Sequence, residues 1–451
     1  MITASVNSMA LVFLAFLAIN FPGSFGDIEL GKETIVSTTI EGGKLKCEPS
    51  AAMTDDAIIV TWNDSYGGKT GCGAVGTVVG WSISRDGGKS FSFGGYLPEL
   101  RDHAASCAAD SWIRVDEDGN FYLSILSIQA DKHEIQMYVM PGRNLRQWKR
   151  LPNAATVSLK NTGGLDRPSM SLNRTGKIGV AYTYFPTTLS YLINFAVSSD
   201  RGNTWNRPIT ISDTTKKSRL CANVVFHGDT VWVVWLEGAS YVLNELWWTM
   251  SLNGGQRFEK PNLLYRLRHT NPPAPKGYNM SSGLGPVILI DPPSLAVTTT
   301  RQGKTTVDLV CAEETSQGSR ILLFKFDRED TAWSTPDRVG HSPDSAYKIF
   351  PSISSTAGRG AVLYYDRRND NTTSITDVYL TPLWNDARID VKLNDTSTVW
   401  ETTAGDSVYA PVQRTFGDYI TLTSYNEKYL ATWTDGRNGN TAIYSRLITF
   451  K

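Results

Sequence analysis

Acidic residues and arginines stand at matching places of a unit that recurs along this chain of 451 residues. One acidic set begins the first strand of successive units: Glu48, Asp110, Asp166, Asp291 and Asp418. A second set ends the second strand: Asp64, Glu237, Glu313, Asp366 and Asp435. Arg167, Arg367 and Arg437 accompany them. Grouped carboxylates suit acid and base chemistry on a glycosidic bond, a divalent metal such as calcium, or structural networks paired with arginine.

A single acidic residue at a strand end more often caps a turn than takes part in chemistry. Recurrence on one side of several units favours a functional site, because crowded carboxylates repel each other. Cations, arginine partners or raised pKa values must offset that repulsion. The elements that position these residues therefore decide which of the three uses applies.

The recurring unit is about 60 residues long and reads as short strands. Its second strand is a continuous apolar run rich in β-branched and aromatic residues, as expected for a strand buried on both faces. The seven copies span residues 58–64, 121–127, 178–184, 231–237, 307–313, 361–367 and 429–435. No long amphipathic helix is indicated anywhere, so the predicted class is all-β.

The third strand of several units runs into a turn of one kind. Residues 84–91 and 198–205 share the pattern Ser-x-Asp-x-Gly-x-Ser/Thr-Phe/Trp, and residues 251–258 keep it with Asn in place of Asp. The Asp accepts backbone N–H groups within the turn and the Gly supplies a positive φ. This motif predicts local structure and is not itself a reaction site.

The two ends of the chain complement each other. The seventh unit stops after its third strand at residues 442–450, while residues 33–40 form an unpaired β-rich segment. That segment can close the last sheet as its outer strand, which protects sheet edges as β-propellers do. We predict one domain, residues 27–451, folded as a single β-propeller of seven four-stranded blades closed by the N-terminal strand, with six blades as the alternative.

In such a blade the start of the first strand and the end of the second lie on one face, and the turn after the third strand lies on the other. Both acidic sets and the three arginines are therefore expected around one mouth of the central channel. No pattern for a Ser-His-Asp or Cys-His site accompanies them.

Composition limits the partners and the compartment. The 44 Lys and Arg balance the 44 Asp and Glu, which argues against nucleic acid or an anionic membrane as partner. Residues 1–26 carry no charged side chain and read as a signal peptide, and no later segment is long and apolar enough for a membrane span. We expect a secreted protein, and the sequons at Asn63, Asn173, Asn279, Asn371 and Asn394 fit that expectation. The five cysteines allow at most two disulfides, and a bridge from Cys72 to Cys107 is plausible.

Over nearly the whole predicted domain, the turns resemble the Asp-box propellers of the sialidase superfamily. The resemblance is greatest to secreted sialidase-like members, through Asp166-Arg167-Pro168 and Gly417-Asp418-Tyr419. It implies a propeller, terminal sialic acid of glycans or glycoproteins as substrate, and no required cofactor, with calcium left open. Asp boxes also occur in other propellers, so fold follows from them more firmly than activity.

Sialidases use three arginines for the substrate carboxylate, a tyrosine nucleophile with a glutamate base, and an aspartate acid/base. The resemblance implies Arg167, Arg367 and Arg437 as the arginines, with Asp166 and Asp418 beside them as substrate-binding residues. The implied nucleophile is Tyr419 or Tyr365, its base is Glu237 or Glu313, and the acid/base is Asp64.

One departure from the family pattern keeps the function open. Sialidases carry Arg-Ile-Pro on the first inner strand, where this chain has Cys47-Glu48-Pro49-Ser50. A carboxylate there repels the carboxylate of sialic acid. The alternatives to a sialidase-like hydrolase are a glycan-binding or adhesive propeller without turnover, and a hydrolase or lyase of another acidic polysaccharide.

Overall fold

The computed structural model describes residues 28–38, 45–65, 77–97, 107–159, 163–187, 190–239, 242–268, 291–328, 330–369, 375–384, 388–399 and 417–450. Over these ranges the chain is all-β and forms a seven-bladed propeller without an α-helix. None of the described segments is a helix long and apolar enough to cross a membrane.

Two short strands open the described chain: β1 (Ile28–Leu30) and β2 (Thr34–Ile35). Blade 1 consists of β3 (Lys46–Met53), β4 (Ile58–Asp64), β5 (Val78–Ser84) and β6 (Ser92–Tyr96). Blade 2 consists of β7 (Cys107–Val115), β8 (Phe121–Ile128), β9 (Lys132–Met140) and β10 (Lys149–Ser158). Blade 3 consists of β11 (Gly164–Leu172), β12 (Ile178–Thr187), β13 (Ser190–Ser198) and β14 (Ile209–Thr210).

Blade 4 consists of β15 (Ser218–His227), β16 (Thr230–Ala239), β17 (Val242–Ser251) and β18 (Asn262–Arg266). Blade 5 consists of β19 (Ser294–Thr299), β20 (Thr305–Glu314), β21 (Ser319–Asp327), β22 (Ala332–Trp333) and β23 (Asp337–Arg338). Blade 6 consists of β24 (Lys348–Thr356), β25 (Arg359–Asp366), β26 (Ile375–Pro382), β27 (Val391–Lys392) and β28 (Thr398–Val399). Blade 7 consists of β29 (Thr421–Tyr425), β30 (Lys428–Asp435) and β31 (Ala442–Phe450), with β1 and β2 paired to β31.

The first strands of the seven blades surround the axis in chain order. Each contacts the first strand of the next blade, and β29 contacts β3 to close the ring. The hydrophobic core lies between successive blades, where buried residues such as Ile59 and Leu123, or Tyr365 and Trp433, belong to shared clusters. Full burial of one such apolar side chain contributes roughly 1.5–3 kcal/mol, so the inter-blade core stabilises the ring.

The structure confirms the seven-bladed prediction, and the six-bladed alternative is wrong. The predicted second strands agree with β4, β8, β12, β16, β20, β25 and β30 to within three residues at either end. The predicted closure by residues 33–40 is confirmed by β2, which lies within that segment and pairs with β31, and β1 at Ile28–Leu30 extends the pairing toward the N-terminus. The predicted signal peptide, residues 1–26, lies outside the described residues.

The three Asp-box turns have the predicted internal hydrogen bonds. In the second copy, Oδ1 of Asp200 accepts the backbone N–H of Thr204 at 2.8 Å, and Oγ of Ser198 accepts that of Gly202 at 2.8 Å. Gly202 has a φ of 85°, the left-handed conformation that favours glycine. These turns follow the third strands, on the face away from the first-strand starts.

Three of the predicted glycosylation sequons are buried. The side-chain amide nitrogen of Asn63 donates to Glu48, that of Asn173 to the Gly228 carbonyl and that of Asn394 to Asp377. Because a glycan must leave from that nitrogen into solvent, these sequons cannot carry one in the folded chain. Asn279 and Asn371 lie outside the described residues.

Cysteine use also differs from the expectation of up to two bridges. Cys47, Cys221 and Cys311 are buried free thiols, which leaves at most one disulfide for the five cysteines. Cys107 is disulfide-bonded. Since Cys72 lies outside the described residues, its pairing with Cys107 stays a prediction.

Five first strands carry the same irregularity at the same place. Each has a β-bulge, and the bulged residue has a positive φ: 57° at Glu48, 54° at Asp110, 48° at Arg167, 60° at Cys221 and 54° at Phe350. This conformation is uncommon for residues with a side chain, and bulges change the direction in which a side chain points. The bulges therefore position the residues at the start of the channel.

Candidate active site

Four carboxyl groups and one guanidinium meet where the first strands of blades 7, 1, 2 and 3 begin. We call this set the mouth cluster, and it consists of Glu48, Asp110, Asp166, Arg167 and Asp418. All five come from the strand starts that the sequence placed on one face. The structure thus brings together three of the candidate site residues, Asp166, Arg167 and Asp418, with two acids that were counted in the ring but not among the site candidates.

A chain of hydrogen bonds fixes the mouth cluster across blade boundaries. Oε1 of Glu48 accepts the backbone N–H of Asp418 at 3.0 Å, and Oε2 accepts the Asn63 amide at 2.6 Å. The Asn63 oxygen in turn accepts the backbone N–H of Asp110 at 3.1 Å, and Oδ2 of Asp110 accepts that of Arg167 at 3.1 Å. The backbone N–H groups of Asp110 and Arg167, at two of the bulges, therefore donate to side chains of the preceding blade.

Arg167 is the cation of the mouth cluster. Its guanidinium donates to Asp418, lies 3.8 Å from Oδ2 of Asp166 and donates to Sγ of Cys221 at 3.4 Å. Burial lowers the pKa of Arg167, but Asp418, Cys221, Asp166 and Asp110 offset this and hold its pKa well above the usual value. Arg167 therefore stays charged and attracts the carboxylates around it.

One arginine cannot neutralise four carboxyl groups, so some of them retain protons. The pKa of Asp166 is raised to about 8, mainly by burial and then by repulsion from Asp110, against the opposing effect of Arg167. Burial and the charges of Asp418 and Asp110 raise the pKa of Glu48 well above its usual range. Burial also raises the pKa of Asp418, against the opposing effect of Arg167. At neutral pH Asp166 is thus mostly protonated, and Asp418 beside it contacts Arg167.

The carboxyl group of Asp166 is more open than that of Asp418. Its side chain is 32% exposed, against 17% for Asp418 and 14% for Arg167. Asp291 occupies the matching position of blade 5, where burial raises its pKa to about 7. A protonated acid that a ligand can reach is the group required for proton donation.

Tyr419 lies next to the mouth cluster. Its hydroxyl is buried and has no hydrogen-bond partner among the described residues, and its ring lies 6.0 Å from that of Trp112. Burial raises the pKa of Tyr419 well above its usual value, and the nearby charges of Glu48 and Asp110 add to the effect. The phenol is therefore neutral unless a base removes its proton.

The acidic residues at the second-strand ends have structural partners of their own. Three of them accept the indole N–H of the tryptophan two residues earlier, which shares their face of the strand: Asp64 from Trp62 at 3.1 Å, Glu237 from Trp235 at 3.4 Å and Asp435 from Trp433 at 3.1 Å. The structure therefore does not bring the candidates Asp64 and Glu237 into the mouth cluster.

Glu237 and Glu313, the candidate bases, also pair with arginines of their own blades. Oε2 of Glu237 accepts Nε of Arg219 at 2.8 Å, and Oε2 of Glu313 accepts Nε of Arg320 at 2.9 Å. Lys217 approaches Glu237 to 2.9 Å as well. These partners of the two glutamates are basic residues and a tryptophan, not Tyr365 or Tyr419.

The remaining candidates also have contacts of their own. Arg437 pairs with Glu33 and Asp435 and stacks 4.5 Å from the Tyr444 ring centre. Arg367 is buried, and its backbone N–H donates to the Tyr347 carbonyl at 3.0 Å. The Tyr365 hydroxyl donates to the Thr434 carbonyl at 2.7 Å and accepts the Thr434 N–H at 3.0 Å, which ties blade 6 to blade 7.

Metal binding is the other use of grouped carboxylates. Over the described ranges, no group of three or more His, Cys, Asp or Glu residues is arranged to hold a metal ion. Arg167 and backbone N–H groups already donate hydrogen bonds to carboxylate oxygens that a calcium ion would need as ligands.

Sequence reasoning missed Asn63, whose amide connects Glu48 to Asp110. Three of the bulged residues, Glu48 among them, do have a sequence signal. It is the recurring x-Pro-Ser at Glu48-Pro49-Ser50, Arg167-Pro168-Ser169 and Phe350-Pro351-Ser352. Each x is a bulged residue with positive φ, so this tripeptide marks the residue turned toward the channel.

Comparison with known proteins shows the fold. No protein-family model matches the sequence, and no curated protein is detectably similar to it. A Dyadobacter fermentans protein of unknown function aligns with a TM-score of 0.53 at 10% identity, covering 94% of this chain and 99% of its own. An α-L-arabinofuranosidase of Fusarium graminearum, solved with arabinobiose, aligns with a TM-score of 0.50 at 10% identity, covering 93% of this chain and 98% of its own. A Trypanosoma rangeli sialidase aligns with a TM-score of 0.44 at 10% identity, covering 89% of this chain and 53% of its own.

Proposed function

We propose that this protein is a secreted glycoside hydrolase that acts on glycans or glycoproteins through the mouth cluster, with Asp166 as the general acid. The observation that carries the proposal is the partly exposed carboxyl group of Asp166, whose pKa is raised to about 8, beside Asp418 in contact with Arg167. Cleavage of a glycosidic bond needs this combination, because one group must protonate the leaving oxygen while another stabilises positive charge on the sugar.

Asp418 is the proposed second carboxylate. Its contact with Arg167 favours the ionised form, and its side chain is partly open to the channel mouth. In the reaction, the Asp166 proton moves to the glycosidic oxygen as the bond to the sugar breaks. Asp418 faces the positive charge that develops on the anomeric carbon, either directly or through an activated water molecule. Glu48 and Asp110 hold the two acids in place through the hydrogen-bond chain.

A neutral sugar fits the mouth cluster better than an acidic one. The one arginine of the cluster already contacts Asp418, so the carboxylate of an anionic sugar finds no spare cation there. Of the three arginines proposed for a sialic acid carboxylate, Arg367 and Arg437 are buried or paired elsewhere. The arabinofuranosidase with the same fold makes arabinosides a reasonable first class of substrate.

Sialidase activity is the second candidate, and Tyr419 is the observation that favours it. Its hydroxyl has no described partner, and Glu48 is the charged group with the largest effect on it. A tyrosine nucleophile needs an ionised glutamate as base. The raised pKa of Glu48 opposes that role, so this candidate ranks second.

The test is a panel of fluorogenic substrates, α-L-arabinofuranoside and α-sialoside, with arabinan and a sialylated glycoprotein as polymers. The variants are Asp166→Asn, Tyr419→Phe and the control Asp229→Asn, which removes an exposed carboxylate paired with Lys177 on the opposite face. Arabinoside turnover that falls about 10²–10⁴-fold in Asp166→Asn alone supports the proposal. Sialoside turnover lost in Tyr419→Phe favours the second candidate.

Other outcomes identify the remaining alternatives. Saturable glycan binding without turnover by folded protein contradicts hydrolysis and favours a glycan-binding propeller. Cleavage restricted to acidic polysaccharides favours the third alternative from the sequence. Secretion is tested by following the N-terminus of the mature protein, which should begin near residue 27.

A further inference from the structure

The central channel contains a small cavity below the mouth cluster. Its volume is about 50 Å³, and first strands of blades 2, 4, 5 and 6 line it together with the start of blade 7. The polar side chains that line it include those of Trp112, Arg114, Asn223 and Tyr419. Among the described residues that line the cavity, Arg114 is the one charged residue and none is a carboxylate.

Arg114 has no acidic partner among the described residues. Its Nη1 donates to the Ile113 carbonyl at 2.8 Å, and its guanidinium carbon lies 4.9 Å from the centre of the Trp112 ring. Burial lowers the pKa of Arg114 to about 10, so it is charged at neutral pH. A partly buried cation without a counter-ion is costly, whereas Arg167 in the mouth cluster contacts Asp418.

Three other polar groups in the wall offer hydrogen-bond donors. Oδ1 of Asn223 accepts the backbone N–H of Leu295 at 3.1 Å, which leaves its NH₂ group as the available part of the amide. The indole N–H of Trp112 and the hydroxyl of Tyr419 are buried with no partner in the described part of the chain. A cavity with a positive charge and several spare donors suits a ligand that only accepts hydrogen bonds.

We propose that this cavity binds a small inorganic anion of the chloride class beside Arg114. The anion supplies the missing counter-charge and accepts the N–H groups of Asn223 and Trp112. The cavity is several-fold smaller than pockets for sugars or cofactors, which measure about 300–1,000 Å³, so a halide fits and a monosaccharide does not. The anion proposal does not rest on the proposed hydrolysis, although Tyr419 lines the cavity and lies next to the mouth cluster.

The test compares thermal unfolding of the whole protein in sodium chloride and in sodium gluconate at equal ionic strength. Gluconate is too large for the cavity, so it controls for charge screening. At chloride concentrations a hundredfold above Kd, we expect the Tm to rise by about 3 °C relative to gluconate. Chloride-35 NMR provides a direct signal, because exchange with a protein site broadens the line.

Two variants decide whether Arg114 is the site. Arg114→Met should remove both the chloride-specific Tm rise and the line broadening. Asn223→Asp keeps the bond to Leu295 and places a counter-charge in the cavity, so it should lose the chloride response without losing stability. The control is Arg85→Met, since Arg85 also donates to a backbone carbonyl, that of Leu145 at 2.7 Å, but outside the channel.

The outcomes are distinct from those of the hydrolase assay. A chloride response that is lost in Arg114→Met and Asn223→Asp but kept in Arg85→Met supports the anion site, whether or not the protein cleaves glycosides. Equal Tm in chloride and gluconate for the unsubstituted protein overturns the proposal. Retention of the full response in Asn223→Asp overturns it as well, and this variant keeps the test decisive if Arg114→Met does not fold.

Discussion

Replacing Glu237 with Gln tests whether the acids at the second-strand ends are structural. The side chain of Glu237 is 1% exposed and that of its partner Arg219 is 0% exposed, with 2.8 Å between Oε2 and Nε. Loss of one partner from a buried pair costs about 3–5 kcal/mol because the other charge stays desolvated. Asp213 still pairs with Arg219, so we expect the lower end, about 3 kcal/mol. For a chain of this length that is a Tm decrease of about 3 °C.

Two assays separate stability from activity in this variant. Thermal denaturation and urea titration give the loss of stability, and hydrolysis per folded molecule gives the activity, which should be unchanged. Glu313→Gln is the matched comparison in the next blade. Its partner Arg320 is 27% exposed, so water can solvate the remaining charge and the expected loss is smaller, about 1–2 kcal/mol. An unchanged Tm together with activity reduced a hundredfold in Glu237→Gln would refute this reasoning and restore Glu237 as a base.

The pKa of Asp166 and the tie between blades 6 and 7 give two further predictions. Since the acid must carry its proton, kcat/KM should fall as pH rises through about 8, and about tenfold between pH 7 and pH 9; a profile still level at pH 9 contradicts the role of Asp166. Tyr365→Phe removes both hydrogen bonds to Thr434 and should lower stability by about 1–3 kcal/mol in urea titration, because the buried N–H loses its acceptor. Hydrolysis by the folded variant should not change; a large loss of turnover with unchanged stability would instead make Tyr365 a nucleophile.

The crowding of acids at the channel mouth was foreseeable, and so was the way in which it is tolerated. Like charges near an axis require a cation or retained protons. The structure has both: Arg167 contacts Asp418, and the pKa of Asp166 is raised. The same logic applied lower in the channel, where Arg114 has no acid beside it, leads to the anion site.

Local sequence determined the blades and the turns. An Asp-box turn depends on residues at most four apart, as in the bond from the Thr204 N–H to Asp200, and the apolar second strands are recognisable from a few neighbouring residues. The tryptophan–acid bonds could also have been predicted, because residues two apart share one face of a strand. Seven repeats of such units are sufficient to specify a closed ring.

Only the tertiary structure decided which of the ring's polar residues form a site. The Asp418 N–H and Glu48 are 370 residues apart, and Arg167 and Asp418 are 251 apart. Such pairs form because the ring closes and because bulges turn Glu48, Asp110 and Arg167 toward the axis, and neither effect has a local pattern strong enough to fix side-chain direction. Sequence therefore determined that acids would gather at one mouth of a propeller. The packing of the blades determined that the strand starts face the channel while the second-strand acids pair with buried tryptophans and arginines.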